Sequence, residues 1–297
     1  MAAIKEGQYA SLPNGLRLHF ASAGEPGRPL LLFLHGFPEF WFAWQAQLKT
    51  FGDTYYAVAP DLRGFNLSDM PKDVSDYRAK LITQDIEQLI AHLGYEQCVM
   101  VAHDWGGAVA WNIAIGKPQL LQKLIIINAT HPYAFAKALA NDRQQQESSA
   151  YMNWLRAPGS EAALAKENFR VMEQLMLGMG RPEDHWFDQA TRERYHSCWS
   201  RGLAGGVNYY RATPLYPPVG DDLGAAKLTL DPASFRCHLP VRVIWGMQDK
   251  ALLPLLLDDL PMLVDDLIIE RVPDATHWVV HEQPQRINTL IARFLTE

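Results

Sequence analysis

The first half of the chain alternates short apolar runs with amphipathic stretches. Continuous apolar runs are typical of strands buried on both faces of a parallel sheet. Residues 81–93 instead repeat leucine and isoleucine at helical spacing, and Gly94 ends that pattern. The dipeptide Asn14-Gly15 favours a tight hairpin turn between two antiparallel strands. The predicted buried strands are residues 30–34, 55–59, 98–102 and 124–127.

A different pattern begins at about residue 131. The stretch up to about residue 227 contains amphipathic helical pieces but no strand-like run, and prolines mark its end. Strand-like runs resume at 241–245 and 267–272, and a closing helix is predicted at 285–295. The pattern predicts an α/β fold, with a mostly parallel sheet flanked by helices and an inserted helical cap. The expected division is residues 1–130 and 228–297 for the core and 131–227 for the cap.

Composition narrows the class of protein. The chain has 297 residues, of which 48% are hydrophobic and 20% charged, as in ordinary folded proteins. The net charge of −6 argues against a nucleic-acid partner. Apolar runs are far shorter than the roughly 20 residues of a membrane span, and the N-terminus lacks an apolar signal segment. Three cysteines show no metal-ligand spacing. We expect a cytoplasmic protein without membrane partners.

Asp104 follows an apolar strand and precedes two glycines and an apolar helix. This is the layout of a nucleophile elbow, in which small residues let a sharp turn hold one side chain above the sheet. The usual occupant of that position is serine. An aspartate that only caps the following helix would give the same local pattern. The segment alone therefore leaves both interpretations open.

An aspartate nucleophile restricts the possible reactions. A carboxylate that attacks an acyl carbon forms an anhydride, whereas attack on an sp³ carbon with a leaving group forms a plain alkyl ester. Water can then cleave that ester at the aspartyl carbonyl, which divides one difficult displacement into two easier steps. Asp104 thus favours an alkyl-transfer hydrolase over an esterase or a lipase.

Hydrolysis of such an ester needs a general base, an acid that orients it and donors for the oxyanion. Elbow-type hydrolases order these groups as nucleophile, acid and histidine along the chain. His277 follows the last predicted strand and Asp249 follows the one before it. An alternative position for the acid is the end of the strand that follows the nucleophile, but Asn128 stands there and cannot carry a charge. Each assignment has a structural alternative. Asp249 would also suit a turn, where aspartate is common, and His277 is one of ten histidines, most of which have no catalytic function. The backbone N–H groups of Phe37 and Trp105 are the predicted oxyanion donors.

Together these residues resemble the α/β-hydrolase-fold epoxide hydrolases. The similarity rests on LHGFPE at 34–39, DLRGF at 61–65, HDWGG at 103–107 and the late Asp249 and His277-Trp278, in the same order over nearly the whole chain. Asn66 departs from the pattern, because relatives commonly have glycine there. We expect that difference to affect a turn rather than the chemistry.

The resemblance also implies two tyrosines in the cap that hold and protonate the epoxide oxygen. Tyr151 lies seven residues before Pro158-Gly159, and Tyr210 lies in the element Asn208-Tyr209-Tyr210-Arg211. A phenol suits this role because the leaving alkoxide is strongly basic and needs a proton donor. The expected substrate contacts are Phe37, Trp105 and the cap residue Trp154.

The resulting prediction is an enzyme that converts an apolar epoxide and water to a vicinal diol through an ester on Asp104, with no cofactor or metal. The alternative is a haloalkane or haloacid dehalogenase with the same nucleophile. Phe37 stands where several haloalkane dehalogenases have a halide-binding asparagine. Trp105 and Ala108 stand where haloacid-cleaving relatives have arginines. A binding protein with a disabled site is disfavoured because all the expected groups are present.

Overall fold

Eight strands pair into one sheet in the computed structural model, which describes residues 2–181 and 186–297. The strands are β1 (Ile4–Ser11), β2 (Arg17–Ala23), β3 (Leu30–Leu34), β4 (Tyr56–Pro60), β5 (Cys98–His103), β6 (Leu121–Ile127), β7 (Cys237–Gly246) and β8 (Val264–Val272). Their spatial order is β1-β2-β4-β3-β5-β6-β7-β8. The pairs β1–β2 and β2–β4 are antiparallel and the others are parallel. The predicted α/β class with a mostly parallel sheet is confirmed.

Helices follow the strands in the order that the hydrophobic pattern indicates. The α-helices are α1 (Gln45–Phe51), α2 (Ala79–His92), α3 (Asp104–Gly116), α4 (Pro132–Asn141), α5 (Arg143–Ser148), α6 (Ala150–Arg156), α7 (Ser160–Leu164), α8 (Lys166–Gly178), α9 (Gln189–Trp199), α10 (Ala204–Ala212), α11 (Leu260–Leu263), α12 (Val279–Glu282) and α13 (Pro284–Thr296).

The strand predictions differ from the structure mainly at the ends and at one edge. β6 begins at Leu121, three residues earlier than predicted. The prediction began at residue 124 because the exposed Gln122 interrupts the apolar run. β8 is an edge strand, in which only Val264 and Val272 are buried. Its side chains are therefore largely exposed rather than buried as predicted.

Helices α4 to α10 occupy the predicted cap segment, and no strand occurs in residues 131–181 or 186–227. The last of these helices makes a close contact with the core, since a Cβ on Gly205 would lie 2.2 Å from the carbonyl oxygen of Gly64. This contact brings α10 over the carboxyl end of the sheet. The division into a core and a separate cap stays a prediction.

Asn66 lies in a tight turn after β4. Its φ angle is 47°, in the left-handed region that favours glycine or asparagine. Its Nδ2 donates a hydrogen bond to Asp61 Oδ2 at 2.8 Å. The side chain thus compensates locally for the missing glycine.

No helix in the described ranges is long and apolar enough to cross a bilayer.

Candidate active site

A sharp turn between β5 and α3 presents Asp104. Its φ angle is 50°, an uncommon value for a residue with a side chain. Two glycines make room for the turn. A Cβ on Gly106 would lie 2.4 Å from the carbonyl oxygen of Leu34, and one on Gly36 would lie 2.1 Å from Asp104 Oδ1. Only glycine fits at these two positions, which explains the Gly-rich motifs around the aspartate.

The Asp104 carboxylate has a different environment at each oxygen. Oδ1 accepts a hydrogen bond from the Phe37 N–H at 2.7 Å, and Oδ2 lies 3.6 Å from His277 Nε2. Burial raises the pKa of Asp104, but the His277 and His103 side chains and the Trp105 N–H outweigh it and lower the pKa below its usual value. The carboxylate is therefore ionised and available as a nucleophile. It lies beside both N–H groups predicted from the sequence.

His277 lies between Asp104 and Asp249. Its Nδ1 is 2.7 Å from Asp249 Oδ2, so the imidazole donates to that carboxylate from the side away from Asp104. Burial lowers the pKa of His277, but the charge of Asp249 and the interaction with Asp104 raise it to about 10. The structure thus brings together the three residues that sequence order assigned to nucleophile, acid and base.

Asp249 is itself fixed by several donors. Its Oδ1 accepts from the N–H groups of Ala251 and Leu252 at 2.8 and 2.9 Å. Its Oδ2 also accepts from Asn128 Nδ2 at 2.7 Å. These hydrogen bonds leave the carboxylate little freedom to rotate away from His277.

Asn128 is a site residue that the sequence analysis excluded as an acid without assigning it a function. It has a φ angle of 37° at the end of β6, and its Oδ1 accepts from the Gly246 N–H at 2.8 Å. Together with its donation to Asp249, this contact ties the ends of β6 and β7 together. Its position after β6, already recognised as the alternative acid position, was the available indication of its function.

Tyr151 on α6 and Tyr210 on α10 face the nucleophile across a cavity. Their ring centroids are 6.1 Å apart, and the Tyr210 ring also contacts the rings of Trp105 and Phe37 edge-on at 5.0 and 5.3 Å. Burial, together with the negative charge of Asp104, raises the pKa of both phenols. Both hydroxyls are therefore protonated at neutral pH and can donate.

The cavity has a volume of about 300 Å³, and Asp104, Tyr151 and Tyr210 all line it. Most of its other walls are apolar, including Ala108, Val109, Met152, Phe135, Leu228 and Leu252. Trp105 also lines it. Phe37 reaches the site through its N–H and its contact with Tyr210, whereas Trp154 is 41% exposed and lies outside the lining.

The described ranges hold no group of three or more histidine, cysteine, aspartate or glutamate side chains arranged for a metal ion.

Comparison with known proteins places this geometry in a family. Residues 29–284 match the family model described as alpha/beta hydrolase fold. The chain is 35% identical to the AB hydrolase superfamily protein YfhM of Bacillus subtilis, over 95% of each chain. It is 32% identical to human epoxide hydrolase 4, over 96% of this chain and 77% of that protein. A Bacillus megaterium epoxide hydrolase structure superposes with a TM-score of 0.88 at 33% identity, over 98% and 100% of the two chains. The chain belongs to the epoxide hydrolases of the α/β-hydrolase family.

Membership of this family confirms the resemblance, the fold and the class of enzyme predicted from the sequence. These relatives do not favour the dehalogenase alternative.

Proposed function

We propose that this protein hydrolyses apolar epoxides to vicinal diols, with Asp104 as the nucleophile. The observation that carries the proposal is that an ionised carboxylate and two protonated phenols line the same apolar cavity. Opening an epoxide needs a nucleophile on one side of the ring carbon and an acid at the ring oxygen.

In the first step Asp104 attacks a ring carbon and the C–O bond of the epoxide breaks. Oδ2 is the attacking atom, since Oδ1 is held by the Phe37 N–H. Tyr151 and Tyr210 hold the ring oxygen, and one of them gives up the proton that this oxygen takes. The resulting phenolate is restored by the proton that the His277 imidazolium loses once Asp104 is esterified. The products of this step are an alkyl ester on Asp104 and a neutral hydroxyl group.

In the second step His277 activates a water molecule that attacks the ester carbonyl. Esterification removes the negative charge of Asp104, which is one of the influences that raise the pKa of His277 in the resting protein. The imidazole therefore becomes a better match for a general base after the ester has formed. The oxyanion develops on Oδ1, next to the Phe37 and Trp105 N–H groups. Ring opening consumes one proton and ester hydrolysis releases one, so the cycle restores the charged Asp104–His277 pair.

An apolar epoxide fits the lining of the cavity, which contains few polar groups apart from the reacting ones. A mutant of the Bacillus megaterium enzyme has been crystallised with its product (R)-3-[1]naphthyloxy-propane-1,2-diol. By analogy, terminal epoxides with an aryloxy substituent are good first substrates for this protein.

Trapping the ester tests the proposal. His277→Gln should form the ester and hydrolyse it slowly, so that intact-mass measurement shows a gain of one whole epoxide, mapped to the peptide that contains Asp104. Asp104→Ala is the matched control and should gain nothing. Haloalkanes are assayed in parallel. An adduct from haloalkanes alone, with halide released, would overturn the proposal in favour of dehalogenation.

A further inference from the structure

A buried glutamine, Gln145 on α5, joins the cap segment to the loop that carries Asp249. Its Nε2 donates to the backbone carbonyl oxygen of Ala251 and to Ser149 Oγ, both at 2.8 Å. Its Oε1 accepts from the Leu253 N–H at 3.0 Å. Both amide protons and the carbonyl oxygen of this side chain therefore form hydrogen bonds, and two of the three partners lie in the loop after β7.

The partners of Gln145 explain why an amide occupies this position. The Ala251 carbonyl oxygen can only accept a hydrogen bond, and the Leu253 N–H can only donate one. A side chain that satisfies both needs a donor and an acceptor on the same carbon, which an amide provides. A carboxylate of the same shape would only accept, and an apolar side chain of the same length would do neither. Replacing the amide therefore leaves the buried Ala251 carbonyl oxygen without this donor.

On the loop side, Gln145 and Asp249 bind the same peptide unit. The Leu252 N–H donates to Asp249 Oδ1 at 2.9 Å, and the carbonyl oxygen of the same peptide unit, that of Ala251, accepts from Gln145. A peptide unit is planar, so a hydrogen bond at each end fixes its orientation. Gln145 thus fixes one of the backbone donors that hold the Asp249 carboxylate toward His277.

On the helix side, Gln145 holds the start of α6. Ser149 directly precedes this helix, and its Oγ accepts from Gln145 Nε2. The Ser149 N–H also donates to the Gln145 backbone carbonyl oxygen at 2.9 Å. Tyr151 follows two residues later. Two side chains of α6 donate to carbonyl oxygens at 210–217 within the cap segment, whereas Gln145 connects the start of the helix to the loop after β7.

We propose that Gln145 is a positioning residue for both steps of the reaction. It holds the peptide unit that orients Asp249, the acid needed for ester hydrolysis, and it holds the start of α6, which carries Tyr151, a donor for ester formation. The inference rests on the proposed function, because those are the two steps that it affects. One side chain thus keeps two groups from different segments of the chain in a fixed relative position.

Amide hydrogen exchange tests the loop contact without any substrate. The N–H groups of Ala251 and Leu252 bond to the catalytic acid rather than to Gln145. Gln145→Met keeps an unbranched side chain of similar length but removes the donor and the acceptor, so exchange of these two N–H groups should become about tenfold faster. Unchanged exchange in Gln145→Met would overturn the proposal, whether or not the protein hydrolyses epoxides.

Gln146→Met is the matched control for this measurement. Gln146 is the next residue on the same helix, and its Nε2 donates to the Leu139 carbonyl oxygen at 2.8 Å, within the cap segment. This substitution also removes a glutamine hydrogen bond but leaves the loop after β7 in place. Exchange at Ala251 and Leu252 should therefore stay at the parent rate, and equal acceleration in both variants would contradict a specific effect of Gln145.

Single-turnover rates test the positioning role in catalysis. Gln145→Met should slow ester formation and ester hydrolysis by about fivefold each, the loss expected from one neutral hydrogen bond, and Gln146→Met should change neither. In a Tyr151→Phe background, Gln145→Met should no longer slow ester formation but should still slow hydrolysis. In an Asp249→Asn background, it should still slow ester formation but no longer slow hydrolysis.

Two results would contradict the positioning role. One is parent rates for both steps in Gln145→Met, and the other is equal slowing of both steps in every background, which a general loss of structure would produce. If Gln145→Met does not fold, Ser149→Ala removes one acceptor of the amide and leaves the loop contacts in place. It should slow ester formation by about two- to threefold and leave hydrolysis at the parent rate. Ester formation at the parent rate in Ser149→Ala would count against the proposal.

Discussion

The two sides of the cavity hold their reactive groups by different interactions. On the sheet side, the His277 imidazole donates to Asp249 and forms an ion pair with Asp104 at 3.6 Å, and backbone N–H groups donate to both carboxylates. On the helical side, Tyr151 and Tyr210 interact with uncharged neighbours: their rings contact each other, Tyr210 also contacts the rings of Trp105 and Phe37, and Tyr210 has hydrogen bonds with Tyr151 and Trp105. Hydrogen bonds to charged groups are shorter and stronger than those between neutral groups, so they fix the geometry more tightly.

The two sides therefore have different functions: the sheet side carries out the bond-making steps, and the helical side holds and shapes the substrate. The sheet side must place a nucleophile, a base and oxyanion donors within tenths of an ångström, and its substitutions should have large effects. The helical side supplies two similar donors and most of the cavity shape, so that single substitutions there should have smaller and partly shared effects.

The largest effect is expected for Asp249→Asn. Loss of the carboxylate removes the partner that orients and stabilises the His277 imidazolium, and ester hydrolysis should fall by about 10³- to 10⁴-fold. Ester formation, measured in single turnover, should change much less.

A second substitution tests whether a carboxylate at a neighbouring position can replace Asp249. Asn128 Nδ2 is 2.7 Å from Asp249 Oδ2, so Asn128→Asp in the Asp249→Asn background places a carboxylate close to the lost one. We expect recovery of at least roughly tenfold, since one hydrogen bond to a charged group is restored. No recovery in a folded double variant would show that only position 249 can serve.

The sheet side was the more predictable from sequence, because its reactive groups directly follow strands. The carboxyl ends of parallel strands meet at one edge of a sheet, so residues that follow β5, β7 and β8 must come together there. Apolar runs locate the strands, and chain order then assigns Asp104, Asp249 and His277. The glycines near Asp104 are explained by close backbone approach, which a strand-to-helix turn requires.

The remaining site features depend on tertiary contacts that no local pattern specifies. Asn128 contacts Asp249, a residue distant in the chain, and no periodicity in the sequence reveals that contact. The direction of Trp154 could not be predicted either. α6 is seven residues long, and Trp154 lies about 200° around its axis from the buried Met152. Such a short helix has too few apolar positions to define its inner face.

The helical side should show an intermediate effect. Tyr210→Phe and Tyr151→Phe should each slow ester formation by about tenfold, because the other phenol can still donate, and the double variant should lose well over a hundredfold. Tyr209→Phe is the matched control, since its hydroxyl donates to the Arg63 carbonyl oxygen and not to the substrate side. Complete loss in both single variants would contradict shared donation.

The last predicted effect is on stability rather than on rate, and it again separates buried charges from neutral buried rings. The pKa of His277 is raised from 6.5 to about 10, so its ion pairs stabilise the folded state fully below about pH 6.5 and are lost as pH rises toward 10. The free energy of unfolding of the parent relative to His277→Gln, from denaturant titrations, should therefore fall by a few kcal/mol at most across that window.

His131 is the control, because burial lowers its pKa to about 4 and the ring is neutral throughout. The relative stability of His131→Gln should be flat above pH 6.5. A flat His277 curve would mean that the resting imidazole is neutral, and the sheet side would then be held by hydrogen bonds without a buried cation at His277.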